Sequence, residues 1–188
     1  MRYLNYLLLA LVLGSLQGCF PIVAAGVGTG ALMASDRRTA GTYIEDEAIE
    51  NKASSQINNK YRDKVHFNVT SYNRHALITG EVPDEESKSA ITLIVEGVVN
   101  VKEVTNELQV SGQTAFTSRS NDALITTDVK LRFINNKVFQ PDHVKVTTEN
   151  GTVFLMGLVY HKEADAASDI ASTTSGVKRV VKVFEYLD

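Results

Sequence analysis

The chain has 188 residues, 44% of them hydrophobic, one cysteine and a formal net charge of −3. That length holds one or two small domains, a single cysteine excludes an intramolecular disulfide, and the lack of a basic excess gives no support to nucleic-acid binding. The charge is uneven: residues 44–110 carry 12 acidic and 7 basic side chains, net −5, whereas residues 122–188 carry 9 and 8, net −1. The second half is therefore the less repulsive one toward an anionic surface.

The first segment is apolar from Leu4 and closes on Leu16-Gln17-Gly18-Cys19, with Arg2 ahead of it. A short apolar run behind one basic residue, ending on a small residue before cysteine, reads as a bacterial lipoprotein signal. It is short for a membrane span. Residues 1–18 are then removed and Cys19 becomes the lipidated first residue. An ordinary secretory peptide, or a transmembrane anchor with an incidental cysteine, is the alternative. Several acyl chains anchor strongly, since each buried methylene adds about 0.8 kcal/mol. Residues 19–43 read as an apolar, Gly-rich tether ending in the polar turn Ser35-Asp36-Arg37-Arg38. Its Gly26, Gly28 and Gly30 lack the strand, helix and acidic residue that a dinucleotide fingerprint requires.

The remainder divides into two similar units, 44–111 and 122–188, joined by a polar linker at 112–121. Each opens on a helix: Ile49, Ala53 and Ile57 recur every four residues after Asp46, and Ile125, Val129 and Phe133 after Asp122. Alternating residues follow: Phe67, Val69, Tyr72, then Ala76, Ile78, Val82 in the first unit; Val144, Val146, then Val153, Leu155, Val159 in the second. Asn150-Gly151 between the second pair is a strong hairpin signal, and Asn73-Arg74 is a poorer version at the same place. Gly80 and Gly157 then coincide. A second helix carries Ala90, Leu93 and Ile94, or Ala166, Ala167, Ile170 and Ala171. Val101, Val104 and Leu108, or Val177, Val180 and Val183, make a closing strand. The order is α-β-β-α-β, an α+β unit with two helices packed on a small mixed three-stranded sheet. Units this small bury only about 60% of their unfolded surface, so they are expected to pack on one another.

Nothing in the chain assembles a catalyst. His66, His143, His75 and His161 show no metal-ligand spacing and have no second cysteine beside them, so no metal site and no cofactor beyond the lipid on Cys19 is expected. Asp84-Glu85-Glu86 reads as an acidic helix start rather than a catalytic pair. Ser168, Ser172 and Ser175 lie near a helix end without a Gly-x-Ser-x-Gly motif.

Gly80 and Gly157 after their strands, and Gly176-Val177-Lys178-Arg179-Val180 after the last helix, resemble the BON domain. Two such units behind a lipidation signal resemble the dual BON-domain outer-membrane lipoproteins of Gram-negative bacteria. Val144–Gly151, Val153–Val159 and Asp169-Ile170-Ala171-Ser172 carry the resemblance most closely; in the first unit Asn100 replaces Gly176. The resemblance implies a non-enzymatic protein on the periplasmic side of the outer membrane, enriched at division sites, that helps to keep that membrane intact. Phe20, rather than an acidic residue, after the cysteine implies the same destination. The resemblance also implies binding of an anionic phospholipid membrane through the first helix of the second unit, here Leu124, Ile125, Thr127, Asp128, Lys130, Leu131 and Lys137. The second reading, from another class, is an adaptor for an envelope protein partner in assembly or cell-wall remodelling. Oligomeric state is open.

The residues themselves point to that helix. At about 100° per residue, Leu124 and Leu131 nearly eclipse and lie roughly 150° from the core face. Their counterparts in unit one are Ala48 and Ser55. Lys130, Arg132 and Lys137 are close enough to meet phosphates. A lipid surface is the first reading of this strip; packing against unit one or the linker, and a protein partner, are the others.

Overall fold

A computed structural model describes residues 36–112 and 116–188, so the signal, Cys19 and most of the tether lie outside the described residues. The first unit runs α1 (Ala40–Tyr61), a 3-10 turn (Arg62–Lys64), β1 (His66–Tyr72), β2 (His75–Val82), α2 (Glu85–Glu96) and β3 (Glu103–Val110). The second repeats it as α3 (Phe116–Ile134), a 3-10 turn (Pro141–His143), β4 (Val144–Glu149), β5 (Thr152–Val159), α4 (His161–Ser172) and β6 (Arg179–Tyr186). In each sheet the middle strand pairs antiparallel with the strand before it and parallel with the strand after α2 or α4. The result is the expected mixed three-stranded sheet, twice.

The apolar spacing places the helices on these sheets. Ile49, Ala53 and Ile57 of α1 meet Val69, Ala76, Ile78 and Leu108 in one core. Ile125, Val129 and Phe133 of α3 meet Val146, Val153 and Leu155 in the other. Two expectations need correcting. In α2 the buried face is Ser87, Ile91 and Val95, and Leu93 is 69% exposed. Helix α3 begins inside the expected linker, at Phe116. Its first turns carry no apolar period because they bury little: Arg119, Ser120 and Asn121 are exposed.

The two sheets pack back to back, with the helices outside. Tyr72 and Leu77 of the first unit meet Phe154, Met156, Leu158 and Val183 of the second. These residues sit on the strand positions opposite the helix-facing ones. Strand β5 is consequently buried from end to end. Lys145 closes the seam by pairing with Glu50 at 2.6 Å and reaching the Ser71 carbonyl at 3.2 Å.

Both hairpins turn with left-handed backbone at two residues, Asn73-Arg74 (φ 51° and 68°) and Asn150-Gly151 (φ 50° and 76°). A buried helix carboxylate receives each turn. Asp46 accepts from the Asn73 and Arg74 amides at 2.9 and 2.7 Å and from the Ser71 hydroxyl at 2.7 Å. Asp122 accepts from the Asn150 and Gly151 amides at 2.8 and 2.7 Å. These aspartates look like helix starts in the sequence; their task is to satisfy turn amides that the sheet leaves unpaired.

Gly80 and Gly157 mark where a neighbouring strand comes too close for a side chain. A Cβ on Gly157 would lie 2.4 Å from the His143 carbonyl oxygen, and one on Gly80 2.2 Å from that of His66. Both obstacles are backbone, and Gly80 also holds φ 123°. Gly80→Ala is expected to cost about 2–4 kcal/mol through steric and backbone strain. Urea unfolding should show a lower midpoint at unchanged slope; a loss under about 0.5 kcal/mol would remove this explanation for the glycine pair.

The segment before α1 ties the units together. Arg38 pairs with Asp36 at 2.7 Å and Asp46 at 2.8 Å, and its guanidinium lies 4.0 Å from the Tyr72 ring centre. Arg37 crosses to the second unit, donating to the Leu158 carbonyl at 2.7 Å and to both Glu163 oxygens at 2.6 and 2.8 Å. Burial pushes the Glu163 carboxyl up, but hydrogen bonds from Arg37 and the Tyr160 amide, with the Arg37 charge, hold it below the usual range. A depressed carboxyl contributes stability above the ordinary glutamate value of about 4.3 and loses it as pH falls through the lower folded value. Parent and Arg37→Ala proteins should therefore differ in thermal midpoint at neutral pH and converge on acidification. A constant difference down to pH 3 would contradict the pairing.

Candidate functional site

Helix α3 buries Asp122, Ile125, Val129 and Phe133. Turning away from that face are Leu124, 65% exposed, and Leu131, 54% exposed. Neither packs against the first unit, which sits behind the opposite face of the sheet. Ile134, 63% exposed, extends the strip from the next turn. Beyond the helix, Asn136 accepts from the Val138 and Phe139 amides at 2.7 and 3.0 Å. That turn sets Phe139 into the core against Phe133 and leaves Val138 half in solvent.

The expected contact residues do not all share this surface. Ile125 is 3% exposed and belongs to the core; its place on the inner face follows from the spacing it shares with Val129 and Phe133, so it is not a surface contact. Thr127 lies on the outer face, its hydroxyl donating to the Ala123 carbonyl at 2.9 Å. Asp128, Lys130 and Lys137 are exposed. Lys130 and Lys137 form no ion pair among the described residues. Arg132 is committed elsewhere, donating to the Ile170 carbonyl, Thr174 and Thr173 at 2.7, 2.6 and 2.9 Å. It fastens α3 to the end of α4, and the two lysines remain as available cations.

Sequence reasoning missed Ile134 and Val138. Ile134 follows Leu131 by three residues, the spacing of helix neighbours, and could have been found by extending the strip one turn. Val138 depends on the course of the loop. On α1 the matching positions are Ala48, Ser55 and Asn58, so the first unit has no such strip. Among the described residues no helix is long and apolar enough to cross a membrane; the strip is a surface feature.

Both units, residues 45–112 and 121–188, match the BON domain. The chain belongs to the BON-domain family. The first BON domain thus contains α1 to β3 and the second α3 to β6. Over 186 residues the chain is 44% identical to the outer membrane lipoprotein DolP of Haemophilus influenzae, covering 96% of both chains. It is 32% identical over 154 residues to a 21 kDa hemolysin of Actinobacillus pleuropneumoniae, covering 81% of this chain and 79% of that one. It is 26% identical over 153 residues to the osmotically-inducible protein Y of Escherichia coli K12, covering 78% and 75%. These likenesses support an outer-membrane lipoprotein built on BON domains.

Proposed function

We propose that this protein is a non-catalytic outer-membrane lipoprotein, anchored through Cys19 and facing the periplasm, whose second BON domain lays α3 on anionic phospholipid. In this reading it supports envelope integrity and collects at division sites. The observation that carries the lipid contact is the strip Leu124–Leu131–Ile134, exposed on α3 and missing from α1, beside Lys130 and Lys137. Apolar side chains flanked by lysines suit a peripheral membrane contact, and each lysine near an anionic surface adds about 1 kcal/mol. Leucine and isoleucine supply burial without the amphipathic ring suited to the interface, so this contact depends on charge and on the anchor.

The unit Ser35–Asp188 is compact by itself, so segment 36–188 separates this contact from the acyl anchor. Flotation with vesicles should show binding to anionic phospholipid, none to zwitterionic lipid, and weakening from low to physiological salt as the charges are screened. Failure to bind either vesicle would leave the anchor as the sole membrane contact. The strip would then be the docking face of an envelope adaptor.

A further inference from the structure

At one end of the seam between the two sheets, three potential metal ligands converge from two domains. His66 opens β1, and Glu81 is its direct cross-strand partner on β2. Glu149 closes β4 in the second domain. His66 Nδ1 lies 2.9 Å from a Glu81 oxygen and 3.8 Å from a Glu149 oxygen. One donor atom from each residue falls within 4.8 Å of the other two. We propose that His66, Glu81 and Glu149 bind one divalent first-row transition ion, with Zn²⁺ the fitting probe, and that this ion staples the first BON domain to the second.

The distances suit such an ion. Tetrahedral ligands about 2.0–2.2 Å from zinc stand roughly 3.4 Å apart, and the two His–Glu separations bracket that spacing. The Glu81 and Glu149 carboxylates, whose donor atoms lie within 4.8 Å of one another, would close on the ion by side-chain adjustment. All three residues sit on strands held by two ladders, and Glu81 is 2% exposed, so the site is largely preformed. One imidazole and two carboxylates favour zinc-like ions over Mg²⁺ or Ca²⁺, which prefer all-oxygen shells.

Charge points the same way. Two carboxylates converge on the one imidazole, and Asp122 lines the same cleft, so a divalent ion would meet counter-charge there. The Thr79 hydroxyl donates to Glu149 at 3.5 Å and helps to orient it. A cleft of about 420 Å³, lined by His66, Glu149, Arg119 and Asp122, provides an entry path and room for a water as fourth ligand. The repeat offers a contrast. His143 stands where the first domain has His66, and there Arg37 supplies the cation that pairs with Glu163.

The test is titration of the tag-free full chain in non-ionic detergent with Zn²⁺ against a chromophoric chelator, alongside thermal unfolding. One ion per chain is expected, with a raised thermal midpoint and no competition from equimolar Mg²⁺. His66→Gln and Glu149→Gln should each weaken binding at least tenfold and abolish the thermal shift, while His161→Gln, in its exposed pair with Asp188, should leave both unchanged. Should His66→Gln fail to fold, Glu149→Gln decides, since it keeps an acceptor for Thr79. No saturable binding at micromolar Zn²⁺, or binding untouched by Glu149→Gln, would overturn the proposal.

Discussion

Asp46→Ala should lower the stability of the two-domain unit by about 3–5 kcal/mol, the range for removing one partner from a buried, hydrogen-bonded ion pair. Asp46 is 1% exposed and serves four groups: the Ser71 hydroxyl, the Asn73 and Arg74 amides, and Arg38. Alanine strands two amides of a turn that already holds two left-handed non-glycine residues. It also leaves the Arg38 guanidinium, 7% exposed, with Asp36 as its remaining carboxylate. Asp122→Ala should cost less, because Asp122 accepts from two amides and its turn contains Gly151. Asp46→Asn, which keeps one acceptor oxygen but turns an NH2 toward the remaining donors and loses the charge, should fall between the parent and Asp46→Ala. Urea unfolding followed by far-ultraviolet circular dichroism gives the order. A larger loss for Asp122→Ala than for Asp46→Ala would show that the arginine contact contributes nothing.

The second large effect is on membrane binding. Leu124→Asp and Leu131→Asp replace side chains that are already more than half exposed, so the fold should survive with an unchanged thermal midpoint. Each removes apolar area that membrane contact would bury, an effect of about 1.5–3 kcal/mol for a complete leucine. Each also sets a carboxylate against an anionic surface. Vesicle affinity of segment 36–188 should fall by more than tenfold for either variant. Leu93→Asp is the control, because Leu93 is 69% exposed on α2 of the first domain and should bind as the parent does. Equal losses at Leu93 and Leu124 would mean that no particular face meets the membrane. Removing an acid from the outer face of α3, by Asp128→Asn, should strengthen binding about twofold to fivefold, given roughly 1 kcal/mol per charge near such a surface. Weaker binding would make Asp128 a contact in its own right.

The fold was legible because it rests on local repetition. Four-residue apolar spacing placed α1 and α3, Gly80 and Gly157 fell at the same place in the two units, and Asn150-Gly151 announced its hairpin. Leu93 misled because α2 is short and its buried face is set by the sheet beneath it, with Ser87 taking a core position that its chemistry does not advertise. The back face of each sheet was hidden for a different reason. Leu77, Phe154 and Met156 interrupt the alternation, and reading one face as core leaves no reason to bury the other. At the candidate site Leu124 and Leu131 were visible from helical angle alone. The anchoring of Arg132 was not, since its partners lie 38 to 42 residues away, and neither was the approach of His66 to Glu149, 83 residues away.

The clasp formed by Asp36, Arg37 and Arg38 also determines how the molecule bears load. A pull arriving from the amino-terminal side enters at residue 36 and divides at once, through Arg38 into α1 and through Arg37 into β5 and the start of α4. Neither domain can be peeled away first, because the attachment point is shared. Extension meets the ionic hydrogen bonds of Arg37 and Arg38 before it reaches either core. Under force the governing quantity is the rate at which they rupture rather than the equilibrium stability. Severing the clasp at Arg37 would direct the whole load into the first domain.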